Sequence, residues 1–278
     1  MPTTKQSIPF YKMSGSGNDF IIIDNRQPKF AEEDLAKLIT GACRRKMSAG
    51  ADGMILVENA DDVDFKWRFY NADGSRAEMC GNGARCVSRF AFLEGIAGEQ
   101  LSFRTDVGII SASITGERVK IRMTDPSDLT DEVTLALTGT TVTYRYINTG
   151  VPHVVIETAD LDGMDVVAMG REIRHHPSFL PAGTNANFIR LNDDGTLGIR
   201  TYERGVEDET LACGTGNVAA ALTAALKHNM PSPVKLLTRS GEYLQVYFEK
   251  GGSGFSDIFL EGDARVIYTG ELCREAWE

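Results

Sequence analysis

The chain has 278 residues, of which 42% are hydrophobic and 24% are charged, and its formal net charge is -10. This composition excludes a largely disordered protein, and the length allows two domains of about 100 to 200 residues, each with its own core. The acidic charge argues against nucleic acid or an anionic membrane as the main partner, because such partners attract basic surfaces.

The amino terminus and the cysteines predict the cellular compartment of the protein. The segment MPTTKQSIPF lacks the basic start and apolar run of a secretory signal, and no segment approaches the roughly 18 apolar residues of a membrane span. The five cysteines form an odd set without CxxC or Cys/His zinc spacing, so we expect thiols, no disulfides and no metal site. A cytoplasmic protein is therefore expected.

The pattern of apolar residues predicts a strand-rich first half that is interrupted by two helices. Strands are expected where β-branched and aromatic residues run together, at 21–23, 54–57 and 65–70. The amphipathic segment 30–39 predicts one helix. The segment 84–95, ARCVSRFAFLEG, predicts the other, with Arg85 and Arg89 on a partly exposed face.

The second half follows the same pattern. The segment 164–173 predicts the counterpart of the first helix, and 217–229, NVAAALTAALKHN, predicts a helix that is apolar nearly all round and therefore buried. We predict an α+β fold in which each half is a curved, mixed or antiparallel sheet around a central helix.

The two halves are also similar in sequence, at a nearly constant offset. The segment RFYNADGSRAEMCGNGA aligns with RTYERGVEDETLACGTGN after one inserted residue. The aligned pairs are Gly15 with Gly150, Asn18 with His153, Gly50 with Gly183, Tyr70 with Tyr202, Cys80 with Cys213, Thr105 with Thr238 and Gly108 with Gly241. This register indicates an internal duplication, and we expect two similar domains related by a pseudo-twofold axis.

The duplication gives the expected domain boundaries. Residues 1–131 would form the N-terminal half that carries Cys80, and residues 132–264 the C-terminal half that carries Cys213. Residues 265–278 would add a terminal strand that packs back on the N-terminal half.

Cys80 and Cys213 each come directly before a Gly-x-Gly that opens a predicted helix. Free backbone N–H groups and the helix dipole favour negative charge there, which lowers a cysteine pKa from about 8.5. The glycines let those N–H groups approach a bound anion such as a carboxylate. An arbitrary cysteine is more often a packing residue, but its recurrence at both helix starts favours two thiols that face a shared interdomain cleft.

Two acid/base groups on opposite sides of a carbon acid are what stereoinversion requires. One thiolate would remove the α-proton and the opposite thiol would return one, so their titrations would be coupled. The carbanion would be stabilised by helix-start N–H groups that bind its carboxylate.

Six motifs carry a family resemblance: GSGNDF, FYNADGS, CGNGARC, TGVPH, GTNANF and YERGVEDETLACGTG. Together they resemble the diaminopimelate epimerase family across nearly the whole chain. The resemblance implies conversion of LL-2,6-diaminopimelate to the meso form without pyridoxal phosphate or another cofactor, in lysine and peptidoglycan precursor biosynthesis. We expect a small amino acid as substrate, no nucleic-acid or membrane partner, and a homodimer as the assembly.

The resemblance also implies roles for individual residues. Cys80 and Cys213 would be the acid/base pair, and His153 and Glu203 would tune the two thiols. The substrate-binding positions would be Asn18, Asn71, Gly81, Asn82, Asn185, Glu203, Arg204, Gly214 and Thr215. Arg204 can bind a carboxylate bidentately, and Glu203 can accept from an ammonium group.

Two positions differ from a common version of the family pattern. Val151 stands where some members have asparagine, and Gly53 stands where some have glutamine. The remaining cysteines, Cys43, Cys86 and Cys273, are predicted to be packing residues, and the pair His175-His176 is predicted to lie at the surface.

Two other functions remain open from the residues alone. A racemase of another amino acid, such as proline or histidine, could use the same scaffold. Proline is disfavoured, because Arg204 and the asparagines Asn18, Asn71 and Asn185 predict a polar site for the distal end of the substrate. A non-catalytic redox or ligand-binding protein could form a reversible disulfide between Cys80 and Cys213.

Overall fold

The computed structural model describes residues 7–252 and 254–278, which form 17 strands and four α-helices. The strands are β1 Ile8–Gly15, β2 Asn18–Asp24, β3 Gly53–Glu58, β4 Phe65–Asn71, β5 Gln100–Thr105, β6 Gly108–Thr115, β7 Arg118–Arg122, β8 Val133–Leu137, β9 Thr140–Asn148, β10 Pro152–Glu157, β11 Asn185–Leu191, β12 Leu197–Glu203, β13 Asp208–Thr210, β14 Val234–Leu237, β15 Tyr243–Gly251, β16 Gly254–Asp263 and β17 Arg265–Leu272. The helices are α1 Glu32–Cys43, α2 Gly81–Leu93, α3 Val166–Arg174 and α4 Gly214–Lys227. Short 3-10 turns follow at Pro177–Phe179 and Arg274–Ala276.

The chain divides into two compact units. The first contains the residues up to Ile121 together with Gly262–Glu278, and the second is Arg122–Glu261. The sequence placed these boundaries later, after residues 131 and 264. The chain re-enters the first unit within β16, and β17 then pairs antiparallel with β1.

The first unit is a mixed sheet with a helix packed on it. β1 and β2 are antiparallel, β2 and β3 parallel, β3 and β4 antiparallel, and β4 and β5 parallel, with antiparallel pairs continuing to β7. The middle of β2, residues 20–23, is fully buried, as in strands that are covered on both faces. The helix α2 packs against β1, β2 and β6, whereas α1 packs against β3.

The second unit repeats this order of pairings. β9 and β10 are antiparallel, β10 and β11 parallel, β11 and β12 antiparallel, and β12 and β14 parallel, with antiparallel pairs continuing to β16. The helix α4 occupies the place of α2 and packs against β10, β11, β12, β14 and β15. The predicted α+β fold with two similar domains is confirmed.

The apolar patterns at 84–95 and 217–229 begin about one turn inside the two helices. α2 starts at Gly81 and α4 at Gly214, so each Gly-x-Gly opens a helix directly after an extended cysteine, as predicted. The apolar helix α4 is buried along most of its length, as predicted.

Two expectations about individual side chains are wrong. Arg85 is completely buried, because its guanidinium donates hydrogen bonds to Ser16 Oγ and Asn82 Oδ1. Cys273 is exposed, because it follows the last strand at the edge of the first unit, whereas Cys43 and Cys86 are buried as expected. None of the helices formed by the described residues has the length and apolar character needed to cross a bilayer.

Candidate active site

Cys80 and Cys213 occupy equivalent places in the two units. Each is the residue before the first helical turn, with an extended backbone: φ is -149° and ψ 116° at Cys80, and φ is -113° and ψ 116° at Cys213. Neither first turn contains an acidic side chain. The N–H groups of the Gly-x-Gly residues that follow can therefore bind an anion without competition from a neighbouring carboxylate.

A chain of side-chain hydrogen bonds runs beside Cys80 in the first unit. Arg85 Nη2 donates to Asn82 Oδ1 at 2.8 Å, and Asn82 Nδ2 donates to Asn18 Oδ1 at 2.7 Å. Asn18 Nδ2 then donates to Asp52 Oδ2 at 3.0 Å. A guanidinium can only donate and a carboxylate can only accept, so these two ends fix the orientation of both amides.

Asp52 is itself held by a cluster of charges. Arg45 Nη2 lies 2.8 Å from Asp52 Oδ1 and 2.5 Å from an oxygen of Asp19, which also pairs with the buried Lys12 at 2.7 Å. Burial alone would raise the pKa of Asp19, but hydrogen bonds and charge from Arg45 and Lys12 outweigh it, and the pKa is lowered. Asp52 therefore presents a fixed carboxylate to Asn18.

Asn71 is not part of this chain. It is the exposed last residue of β4, and its amide donates to Ser75 Oγ at 3.0 Å in the turn that follows. Gly53, one of the two positions that differ from the family pattern described above, lies against the backbone of β4. A Cβ at Gly53 would be 2.5 Å from the carbonyl oxygen of Tyr70, so this chain leaves no space there for a side chain.

The second unit has an imidazole where the first has Asn18. His153 is completely buried on β10, and its Nε2 lies 3.0 Å from Thr215 Oγ1. Thr215 Oγ1 lies 3.5 Å from Cys213 Sγ, and Thr149 Oγ1 donates to the Thr215 carbonyl at 3.0 Å. Burial, with a smaller contribution from the charge of Arg204, lowers the pKa of His153 to about 3. His153 is therefore a neutral imidazole near pH 7.

Asn187, which none of the sequence motifs singled out, contacts the other side of this imidazole. Asn187 is completely buried, and its Nδ2 lies 3.0 Å from His153 Nδ1. A signal was present, because Asn185 and Asn187 are two residues apart in GTNANF, and residues at that spacing lie on one face of a strand.

Asn185, Glu203 and Arg204 meet at the ends of β11 and β12. Asn185 Oδ1 accepts from the Arg204 backbone N–H, and Asn185 Nδ2 donates to the Pro152 carbonyl, both at 2.9 Å. The Arg204 guanidinium donates to the Ala182 carbonyl at 3.0 Å. Burial raises the pKa of Glu203. Asn185 thus joins the segment before His153 to the residues after β12.

The two segments matched by a known protein family correspond to the duplicated halves. The family model described as diaminopimelate epimerase matches residues 10–129 and 145–267. The chain belongs to the diaminopimelate epimerase family. Among curated relatives, diaminopimelate epimerase of Aquifex aeolicus is 44% identical over 97% of this chain and 99% of its own length. That of Hydrogenobaculum sp. is 43% identical over 95% and 98%.

More distant solved structures share the fold of this diaminopimelate epimerase family member. A phenazine biosynthesis protein of the PhzF family from Bacillus anthracis superimposes with a TM-score of 0.71 at 16% identity, covering 96% of this chain and 99% of that one. A hydroxyproline epimerase from Agrobacterium vitis gives a TM-score of 0.67 at 15% identity, covering 98% and 94%. At these identities the likeness is one of fold.

Proposed function

We propose that this protein converts LL-2,6-diaminopimelate to meso-diaminopimelate without pyridoxal phosphate, using the thiols of Cys80 and Cys213. Family membership makes it an isomerase of diaminopimelate in lysine biosynthesis, and its partner a small-molecule substrate. The observation that carries the two-thiol mechanism is the repeated helix start, at which the same residue type precedes Gly-x-Gly in both units.

The reaction is a proton exchange at one α-carbon. In one direction a thiolate takes the α-proton, the C–H electron pair stays on carbon, and the opposite thiol delivers its proton to the other face. The roles of Cys80 and Cys213 are exchanged for the reverse direction. Backbone N–H groups of Gly81, Asn82, Gly214 and Thr215 bind the reacting carboxylate and stabilise the carbanion.

The remaining candidate residues bind the rest of the substrate or adjust the thiols. Asn18, Asn71 and Asn185 offer amide groups, and Arg204 and Glu203 recognise the carboxylate and ammonium of an amino acid end. His153 and Glu203 modulate proton affinity at the thiols. Support comes from the hydrogen bonds that link Asn18 to Asn82 and His153 to Thr215 at aligned positions of the two units.

The decisive experiment measures exchange and inversion together. Reduced protein without added cofactor is incubated with LL-diaminopimelate in heavy water, and we expect deuterium at the α-carbon together with the meso product. Proline and histidine serve as comparison substrates, and faster inversion of either would favour a different racemase. The absence of both deuterium exchange and inversion with diaminopimelate would contradict the proposal.

Single-thiol variants test the mechanism separately from the activity. Cys80→Ala or Cys213→Ala should stop inversion in a protein that keeps its circular dichroism spectrum, because one thiol cannot serve both faces. The exposed Cys273→Ala is the matched control and should retain full activity. Full activity in either of the first two variants would refute the two-thiol mechanism.

The location and assembly are part of the same proposal. We propose a cytoplasmic homodimer, since twofold dimers are the commonest oligomers and large apolar side chains such as Ile109 and Ile267 are more than half exposed. Cell fractionation and sedimentation velocity test the two statements. A monomer at micromolar concentration would contradict the dimer.

A further inference from the structure

The hydrogen bonds around His153 form a directed chain that ends at a thiol. We propose that Asn187 is a positioning residue that holds His153 as the Nε2–H tautomer, so that the Thr215 hydroxyl directs its proton to Cys213 Sγ. The importance of this chain for the reaction rests on the proposed function of Cys213. The tautomer itself is a property of the folded chain.

The partners of the Asn187 side chain fix the orientation of its amide. Its Nδ2 lies 3.0 Å from the Val154 carbonyl oxygen, and its Oδ1 accepts from Thr201 Oγ1 at 3.0 Å. A carbonyl oxygen can only accept, so the NH2 group must be the side that faces Val154. The second hydrogen of the same NH2 group then points to His153 Nδ1, 3.0 Å away.

The tautomer of His153 follows from the orientation of this amide. A neutral imidazole has one donor and one acceptor nitrogen, so an Nδ1 that accepts from Asn187 leaves the proton on Nε2. The complete burial of His153 favours this neutral form. Nε2–H therefore donates to Thr215 Oγ1 across 3.0 Å.

The Thr215 hydroxyl connects the imidazole of His153 to the sulfur of Cys213. Thr215 Oγ1 accepts from His153 and has one hydrogen of its own to donate, and Cys213 Sγ lies 3.5 Å away. A hydrogen bond to the charged form of an acid stabilises that form. The chain therefore stabilises a thiolate at Cys213 more than a thiol.

The glycine after Thr215 makes room for this arrangement. A Cβ at Gly216 would lie 2.4 Å from Asn187 Oδ1 and 3.4 Å from Cys213 Sγ. The absence of a side chain thus lets the strand amide reach the start of α4. This requirement explains one glycine of the motif on grounds other than carboxylate binding.

The tautomer can be measured directly in the wild-type protein. Nitrogen-15 NMR of histidine-labelled protein distinguishes Nδ1 from Nε2 protonation, and the His153 signals are assigned by comparison with His153→Gln. We expect the Nε2–H tautomer, unchanged between pH 5.5 and 8. An Nδ1–H tautomer, or a cationic imidazole in this range, would overturn the proposal whether or not the protein is active.

Two variants test the connection to the sulfur. Asn187→Asp replaces the NH2 group by an oxygen that loses the hydrogen bond to the Val154 carbonyl and accepts from Nδ1–H, so the tautomer should reverse and the Thr215 hydroxyl should turn to Nε2. Thr215→Val removes the hydroxyl and should leave the tautomer of His153 unchanged. For both we expect the iodoacetamide alkylation rate of Cys213 at pH 7 to fall about tenfold, as for loss of one hydrogen bond to a charged group.

Peptide-resolved mass spectrometry provides the internal reference. The exposed Cys273 should react at the same rate in every variant, and circular dichroism confirms that each variant is folded. If Cys213 reacts as fast in Thr215→Val as in the wild type, the hydroxyl does not act on the sulfur and the proposal fails. That failure would leave the inversion assay, and so the proposed function, unaffected.

Discussion

The carboxylate of Asp52 sets which way the amide of Asn18 faces. Because Asp52 Oδ2 can only accept, Asn18 must direct its NH2 group there and its oxygen to Asn82. At the substrate contact proposed for Asn18, the donor and acceptor of the amide are thus fixed in advance, so that binding there would cost less ordering of side chains.

Replacing Asp52 should weaken substrate binding more than turnover. In Asp52→Asn the oxygen of the new amide stays with Arg45, so its NH2 group faces Asn18 Nδ2 and the hydrogen bond that holds Asn18 from this side is lost. We expect KM for diaminopimelate to rise about tenfold with kcat changed by less than about twofold, consistent with a loss of ground-state and transition-state binding alike. Steady-state kinetics measure both constants. Asp24→Asn is the control. Asp24 lies on the same strand as Asn18 but its carboxylate pairs with Arg26, so this variant should keep its KM.

Protonation of Asp19 should make the folded protein less stable in acid. Its folded-state pKa lies below its value of about 3.9 in the unfolded chain, so its stabilising contribution is complete above that value and disappears as the pH falls through the folded pKa. Urea unfolding of Asp19→Asn should show a loss of about 1 to 3 kcal/mol at pH 6 that narrows toward pH 2. A gap independent of pH would contradict this cause, and Asp61→Asn, an exposed carboxylate, is the control.

The helix α3 approaches β12 through a glycine. A Cβ at Gly170 would lie 2.3 Å from Cβ and 2.6 Å from Cγ of Tyr202, which is itself completely buried. The absence of a side chain lets the helix backbone rest directly on the ring. This contact connects α3 to the strand that leads to Glu203 and Arg204.

Adding a methyl group at this contact should destabilise the second unit. Gly170→Ala gains about 0.5 to 1 kcal/mol of helix propensity but forces the helix from the strand, which we expect to cost about 1 to 3 kcal/mol net. Chemical denaturation measures the difference. Gly98→Ala is the matched control, since an added Cβ there meets only a carbonyl oxygen at 3.9 Å. Equal stability of the two variants would show that the helix moves without cost.

Each unit has its own hydrophobic core, and the end of the chain belongs to the first. One cluster of buried residues includes Leu38 of α1 and Leu272 of β17, and a separate cluster in the second unit includes Phe188 of β11. We therefore expect residues 262–278 to respond to damage in the first core although they are distant in sequence.

Hydrogen exchange can test this division. Leu38→Ala should lose about 2 to 5 kcal/mol of local stability and increase exchange in α1 and β17 while α4 keeps its protection. Phe188→Ala is the matched variant and should show the opposite distribution. Increased exchange in α4 but not in β17 for Leu38→Ala would contradict the division.

The sequence predicted those features that depend on short segments. Local patterns predicted the strand at 21–23, the buried helix α4 and the place of both cysteines at helix starts, because hydrophobic periodicity and Gly-x-Gly act over a few residues. The missed parts of the site depend on distant partners. Arg85 is buried because it donates to Ser16, which is 69 residues away, as well as to Asn82 in its own helix, and no local pattern indicates that the guanidinium will meet Ser16.

Patterns along the chain were thus enough to predict the duplicated α+β architecture, the family and the two candidate thiols. The folded structure was needed to show that Asn187 meets the imidazole of His153 and that Gly53 has no space for a side chain. The physical reason is that hydrogen-bond direction and steric fit are properties of atoms brought together by different strands, and no periodicity along the chain encodes which atoms will meet.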